Sequence, residues 1–163
     1  NQQNLVQTKT VGDRVASYEY DLLGRLVLIT NPDGSRKIQY YNDADSVTIV
    51  ANVKPGIEYN ADELFSEGLN KIEDSSLVNK IKYEYNAIKN LVSIKKYLHG
   101  LDTPCFRIDF THNALGLQAG SASGKGRTTR RKYDPRARLS KLTREDGSEV
   151  MISYDDSKRI TCY

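Results

Sequence analysis

The chain has 163 residues, a formal net charge of +3, 38% hydrophobic residues and 28% charged residues. This length is typical of one globular domain or a slice of a larger one, and the composition argues against a disordered chain. Two cysteines, Cys105 and Cys162, stand far apart without metal-ligand spacing, so a disulfide scaffold is unsupported; two free thiols are favoured, with a single bridge left open. No apolar run approaches the roughly 18 residues that a membrane-spanning helix requires.

The first third of the chain contains apolar and β-branched runs separated by turn residues. An opening strand ends at the turn Val11-Gly12-Asp13, and strands are predicted on both sides of the turns Asp21 to Gly24 and Asn31 to Gly34. In the turns that begin at Asp21 and Asn31, the side chain of the first residue can hydrogen-bond to the backbone two residues ahead, and Gly at the fourth position adopts the required backbone angles. The β-branched run 46–53 predicts the next strand.

The strand pattern breaks after residue 56. Asn60 with Glu63 three residues later resembles a capping box, and the following apolar residues fall on one helical face. We predict a short helical insertion near 60–73, inside an insertion between repeats over residues 60–79. Alternatively, Tyr59-Asn60 is a worn copy of the repeat described below.

Strands resume over residues 78–85, 91–97 and 105–110. The small residues of 120–126 predict a flexible hairpin loop, since their spacing does not fit a phosphate-binding loop and no helix-forming segment follows. The last part of the chain repeats the opening pattern, with Arg144 to Gly147 as a turn.

One motif recurs along the chain. A Tyr ends an apolar run, Asp or Asn opens a turn, and the best copy adds Gly, Arg and Leu. Successive Asp or Asn residues are 21, 44, 27, 21 and 21 residues apart, and a repeated period outranks local propensity when an architecture is chosen. The motif residues are Tyr20, Asp21, Gly24, Arg25 and Leu26; Tyr41 and Asn42; Tyr85 and Asn86; His112 and Asn113; Tyr133, Asp134, Arg138 and Leu139; and Tyr154 and Asp155.

This periodicity predicts a mainly β fold of antiparallel β-hairpin repeats of about 21 residues that form a curved sheet. We expect residues 1–163 to be a single β-sheet domain or fragment. An open sheet leaves unpaired backbone at both edges, which favours pairing with the rest of a larger chain or with another copy. Because the chain opens on Asn-Gln-Gln-Asn without Met, we expect it to be processed or excised from a longer product.

These residues resemble the YD repeat, also called the Rhs repeat, of bacterial Rhs and other polymorphic toxins, of the B and C components of insecticidal toxin complexes, and of animal teneurins. The resemblance covers most of the chain, from about Ser17 to Tyr163. It is most specific at Tyr20 to Leu26, where all five residue types of the motif occur, and weaker at Tyr41, Tyr85 and His112.

The resemblance implies a secreted or cell-surface bacterial protein. Repeats of this family build long antiparallel sheets that spiral into a hollow shell, and in the toxins the shell holds a toxic C-terminal domain. The chain is therefore expected to form part of the wall of such a shell. Its expected partners are the remainder of a larger chain, a second copy, or a toxin domain. Asp134-Pro135 lacks the Gly spacing expected of the family's self-cleavage segment, so no autoproteolysis is expected.

Nothing in the residue pattern indicates catalysis. The repeated Asp and Asn residues stand at turn starts, whereas acid–base chemistry requires carboxylates that converge in a pocket. The two histidines lack a nearby Cys or acidic cluster, so no metal site is recognisable. We expect a non-enzymatic protein without a cofactor.

Positive charge is concentrated between Lys125 and Arg144, where nine Lys or Arg accompany one acid, Asp134. Clustered cations can bind nucleic acid through phosphates, but strand alternation favours a solvated or partner-facing sheet surface instead. A second alternative is a module that binds glycans or a cell-surface partner through exposed Tyr and Arg. The candidate basic patch comprises Lys125, Arg127, Arg130, Arg131 and Lys132.

Overall fold

The fold is β throughout the part of the chain that can be described. The computed structural model describes residues 5–56, 77–155, 157 and 160–162, and every regular element in these ranges is a β-strand. Twelve strands form one antiparallel sheet in which spatial order follows chain order from β1 to β12, and β13 pairs with β14 in a separate hairpin. The prediction of a mainly β chain of antiparallel hairpins is confirmed.

The strands are β1 (Thr8–Val11), β2 (Arg14–Tyr20), β3 (Leu26–Thr30), β4 (Arg36–Tyr41), β5 (Val47–Val53), β6 (Leu77–Tyr85), β7 (Leu91–Leu98), β8 (Phe106–His112), β9 (Gln118–Ser123), β10 (Thr128–Tyr133), β11 (Leu139–Thr143), β12 (Glu149–Met151), β13 (Ser153–Tyr154) and β14 (Ile160–Cys162). The strands predicted at 46–53, 78–85, 91–97 and 105–110 correspond to β5, β6, β7 and β8. Local turn chemistry and β-branched runs therefore predicted these strands well.

The residues group into two compact units, Asn1–Tyr83 with Lys95–Cys105, and Glu84–Ile94 with Phe106–Tyr163. In the first unit the core follows three neighbouring strands. Leu28 of β3 lies opposite Ile38 of β4, which lies opposite Ala51 of β5, and these side chains are at most 1% exposed. Burying an aliphatic side chain of this size stabilises a fold by about 1.5–3 kcal/mol. The core therefore stabilises the three strands in this register.

The second unit is more solvated. Its strand β10 alternates exposed and half-buried residues along its whole length, as expected when one face of a sheet contacts water. A polar contact replaces apolar burial in one place, where the buried hydroxyl of Ser93 donates to Asp109 Oδ1 at 2.8 Å.

The loop predicted at residues 120–126 is wrong for its first half. Gln118–Ser123 form strand β9, which pairs with β8 and β10, and only the end of the segment turns. The small residues have a packing reason, because a Cβ on Gly120 would lie 3.0 Å from both Thr111 Oγ1 and the Thr129 carbonyl oxygen. Glycine inside a strand here marks a close approach of neighbouring strands.

The predicted helical insertion near 60–73 lies outside the described residues. Of the wider insertion predicted over 60–79, residues 77–79 are described, and they begin strand β6. Within the described ranges there is no helix of the length and apolar character needed to cross a membrane.

Candidate functional site: the repeat corners

Among the described residues, a motif Asp or Asn opens a tight turn, called here a repeat corner, which runs from that residue to the one four positions later. At the first corner, Asp21 Oδ1 accepts hydrogen bonds from the backbone N–H groups of Leu23 at 2.9 Å and Arg25 at 2.8 Å. The Gly24 N–H donates to the Asp21 carbonyl at 2.9 Å. One side-chain oxygen thus satisfies two backbone donors that the turn leaves without strand partners.

The same side-chain bonds recur at four other corners, with distances of 2.9–3.1 Å. Asn and Asp both present this Oδ1 acceptor, which explains why either residue opens a corner. The corners are those at Asn42, Asn86, Asn113 and Asp134.

The fourth residue of each described corner has a left-handed backbone. Gly24 and Gly116 have φ of +80° and +75°, while Asp45, Lys89 and Ala137 have φ of +59°, +62° and +61°. A side chain in this region costs about 1–2 kcal/mol. Gly is therefore the favoured residue at this position, but the hydrogen-bonded corner tolerates others.

A β-bulge follows the corners whose strand pairing is described. In the first hairpin, Glu19 pairs with Leu28 and Tyr20 with Leu26, so Val27 is left out of the pairing. An extra residue of this kind interrupts the ladder of backbone hydrogen bonds. The residues left out, each six positions after the motif Asp or Asn, are Val27, Thr48, Ala119, Ser140 and Thr161.

The motif tyrosines satisfy the carbonyl groups beside these bulges. The Tyr41 hydroxyl donates to the Leu26 carbonyl at 2.7 Å, directly before the bulge residue Val27. Two further pairs, Tyr133 with Gln118 at 2.7 Å and Tyr154 with Leu139 at 2.8 Å, repeat this contact. We call it the tyrosine–bulge contact. It joins each tyrosine to the preceding repeat, which explains why a Tyr precedes the turn.

The repeat interval controls this contact. In all three pairs the tyrosine follows its acceptor by 15 residues, which requires neighbouring copies to be 21 residues apart. The copy after a 27-residue interval carries His112 instead of Tyr, and its Nδ1 has no hydrogen-bond partner among the described residues. The period of 21 is thus the spacing that aligns a hydroxyl with the carbonyl beside a bulge.

Arginine adds a second link at the corners that begin with Asp. Arg25 Nε donates to Asp21 Oδ2 at 2.6 Å, and its guanidinium lies 4.8 Å from the ring centre of Tyr41. Likewise, Arg138 Nε donates to Asp134 Oδ2 at 2.7 Å, and its guanidinium lies 4.3 Å from the ring centre of Tyr154. The guanidinium therefore connects the corner of one repeat to the tyrosine of the next through an ion pair and a cation–π contact.

Sequence reasoning missed these two links between repeats. Their signal was present, because Arg stands four residues after Asp21 and Asp134 but not after Asn42, Asn86 or Asn113. An uncharged Asn holds the turn equally well but offers no partner for a guanidinium. The choice of Asp or Asn therefore predicts whether Arg follows.

The links change the ionisation of three motif residues. Partial burial alone raises the pKa of Asp21, but hydrogen bonds from Arg25 outweigh it and hold the pKa below the usual value. The Arg138 backbone N–H and guanidinium lower the pKa of Asp134 in the same way. Burial raises the pKa of Tyr41, with Arg25 opposing in part, so its hydroxyl keeps the proton that it donates.

We expect acid to remove the contribution of these ion pairs. Because the folded-state pKa of Asp134 lies below its ordinary value of 3.8, its stabilising effect is complete above that value and disappears as pH falls through the lower folded-state pKa. Asp134→Asn keeps the turn acceptor but not the charge. Near pH 7 it should lower the urea midpoint, and near pH 2 the midpoints of variant and parent should converge.

The matched control for this prediction is Asp102→Asn, which removes an exposed carboxylate outside the corners. It should leave the free energy of unfolding near pH 7 unchanged within a few tenths of a kcal/mol. A midpoint deficit of Asp134→Asn that is equally large at both pH values would contradict the ion-pair account.

The remaining predicted motif residues occupy equivalent positions. Tyr85 ends β6 before the Asn86 corner, and Tyr154 ends β13 before Asp155. Gly24 closes its turn, and Leu26 and Leu139 begin the strands that follow their corners. The hydroxyl groups of Tyr41, Tyr133 and Tyr154 donate hydrogen bonds inside the sheet.

The structure separates the five residues of the candidate basic patch. Lys125 lies in the turn between β9 and β10, and Arg127 forms a loose 3.5 Å ion pair with Glu145. Arg130 and Lys132 share the exposed face of β10, whereas Arg131 lies on the opposite, half-buried face. These last three positions follow strand alternation, as expected.

The described residues provide no group of three or more His, Cys, Asp or Glu side chains arranged to hold a metal ion. Cys105 is a free, exposed cysteine. The side chain of Cys162 lies outside the described part of the chain.

Comparison with known proteins gives a family match at the start of the chain. Residues 2–36, which include the first complete corner, match the family model described as RHS Repeat. Residues 2–36 are thus similar to an Rhs, or YD, repeat. No curated protein sequence matches it significantly.

Two of the solved structures that match this chain are of toxin complexes. The Tc holotoxin pore of Photorhabdus luminescens, determined with a substitution in TccC3, matches with a TM-score of 0.64 and 12% identity over 90% of this chain and 8% of that chain. The crystal structure of TcdB2-TccC3 has a TM-score of 0.48 and 13% identity over 91% of this chain and 9% of that chain. This chain spans less than a tenth of those chains, and the first match shows a shared fold.

Proposed function

We propose that the chain is a non-enzymatic wall segment of a larger Rhs-repeat shell, which encloses a toxic C-terminal domain of a secreted bacterial protein. The observation that carries the proposal is the tyrosine–bulge contact. It links neighbouring repeats by the same bond at 2.7–2.8 Å each time. A contact that depends only on the preceding repeat allows a sheet to extend by adding equivalent units.

The corners support a mechanical role rather than a chemical one. Their carboxylates are occupied by backbone N–H groups and by Arg25 or Arg138, which lower the pKa of Asp21 and Asp134. A general acid near neutral pH needs the opposite shift. The polar atoms at the corners therefore fix geometry.

The terminal strands of the described sheet support a larger assembly. Strand β1 is exposed along all four residues and pairs with β2 on one side, and β12 pairs with β11 on one side. Such edges offer backbone donors and acceptors to further strands. We propose that more Rhs repeats, of the same chain or of a second copy, complete this pairing.

The test is electron microscopy of the protein produced from the complete open reading frame. We expect hollow particles, and we expect the domain that follows the repeats to resist protease while the particle is intact. Tyr41→Ala with Tyr154→Ala should make that domain cleavable, whereas the exposed control Leu22→Ala should not. Solid particles, or cleavage of the domain in the unmodified protein, would overturn the proposal.

A further inference from the structure

A shallow groove lies on the exposed face of the second unit, between β8 and β10. It has a volume of about 390 Å³. Gly120 and Ala122 of β9 form its floor, since Gly120 pairs directly with Arg130 and Ala122 pairs with both Asp109 and Thr128. Gly120 is buried between its own neighbouring strands, so the small side chain of half-buried Ala122 is what allows another chain to approach the sheet closely.

The two acids of this face are already neutralised by partners on the same face. Asp109 pairs with Arg107 at 2.7 Å, and Glu149 pairs with Lys141 at 2.6 Å. The Arg130 backbone pairs with β9 and β11, but its guanidinium makes no hydrogen bond or ion pair with the described residues. The face therefore carries an excess of positive charge beside the groove.

Lys132 increases this excess. It lies directly opposite Lys141 in the pairing of β10 with β11, and like charges in that arrangement repel each other; the carboxylate of Glu149, whose pKa both lysines lower, offsets part of this repulsion. Arg130 also lines a second hollow of about 170 Å³ together with Arg144 and Glu145, and Glu145 pairs with Arg127. An anionic ligand laid along β10 would relieve the repulsion and pair with Arg130.

The spacing of the cations identifies the ligand. Arg130 and Lys132 stand on the same face two residues apart, about 6.8 Å along the strand. Carboxylates at alternate positions of an extended peptide have that same separation, whereas single-stranded nucleic acid is usually held by aromatic stacking. The described groove lining contains no aromatic side chain.

We propose that the β10 groove binds an extended acidic peptide whose alternate carboxylates pair with Arg130 and Lys132. Recognition of acidic segments by clustered cations is an established mode of peptide binding. The binding is separate from the wall function proposed above and requires no second copy of the chain.

The test uses fluorescence anisotropy of two labelled peptides at low salt. One peptide alternates Glu and Ser, and the other has the same composition with its Glu residues grouped at one end. We expect the alternating peptide to bind about fivefold more tightly or better, because it alone matches the spacing along β10.

Amino-acid substitutions test whether the peptide binds at the β10 groove. Arg130→Glu should weaken binding of the alternating peptide about tenfold, whereas Arg136→Glu, an equal charge change at an exposed corner residue, should change it less than about twofold. Ala122→Leu, which fills the groove without altering charge, should also weaken binding. Unchanged far-UV circular dichroism confirms that each variant folds.

Three results would overturn the proposal: equal binding of both peptides, equal losses in Arg130→Glu and Arg136→Glu, or preferential binding of a single-stranded oligonucleotide of the same charge. The last result would assign the face to nucleic acid instead.

Discussion

Tyr41→Ala is expected to lower the free energy of unfolding by about 3 kcal/mol. The Tyr41 ring packs against the core of the first unit, stacks with Arg25 at 4.8 Å and donates its hydroxyl to the Leu26 carbonyl at 2.7 Å. The substitution removes all three interactions and leaves a cavity beside the bulge. Urea denaturation followed by far-UV circular dichroism measures the loss.

Tyr41→Phe separates the hydroxyl from the ring. It should cost about 1 kcal/mol, because the half-buried Leu26 carbonyl then keeps only the longer 3.3 Å bond from Gln39 Nε2, while the ring packing is retained. The matched control is Tyr20→Phe, whose hydroxyl donates to the Val6 carbonyl at an exposed position, and which should cost only a few tenths of a kcal/mol. If Tyr41→Phe were as stable as the parent, the tyrosine–bulge contact would not stabilise the repeat.

Leu28→Ala is expected to destabilise the chain by about 3 kcal/mol. Leu28 is 1% exposed and lies opposite the equally buried Ile38, so the cavity has no access to water and little freedom to collapse. The same denaturation measurement applies.

Leu22→Ala is the matched control, because Leu22 belongs to the same hairpin but is 102% exposed at the corner. The same change of side chain should there alter stability by less than about 0.5 kcal/mol. Equal losses for the two substitutions would mean that the core does not lie between β3 and β4.

Turn chemistry explains why so much of the fold could be predicted. A corner depends on a few adjacent residues, such as Asp21 through Arg25, whose side-chain and backbone bonds form within the turn itself. The strands between turns depend equally on local runs of apolar and β-branched residues. The error at Gly120 arose because a glycine needed for close strand packing has the same local appearance as a glycine in a loop.

The basic patch shows that the order of residues along the chain does not predict which cations lie on the same face of the sheet. Charge counting grouped Arg130, Arg131 and Lys132, but a strand sends successive side chains to opposite faces. Pairing with β9 and β11 then decided which neighbours each cation has, so that Arg130 faces Gly120 and Lys132 faces Lys141. Hairpin register, rather than the order of charges along the chain, brings these neighbours together.

The amino-acid sequence by itself determined the positions of the corners, the strands between them and the 21-residue interval, because each rests on interactions between residues close in the chain. Only the tertiary structure showed which contact the 21-residue interval makes possible. Strand pairing and the bulge bring the Tyr41 hydroxyl to a carbonyl 15 residues earlier, and such a contact exists only after two repeats have folded against each other.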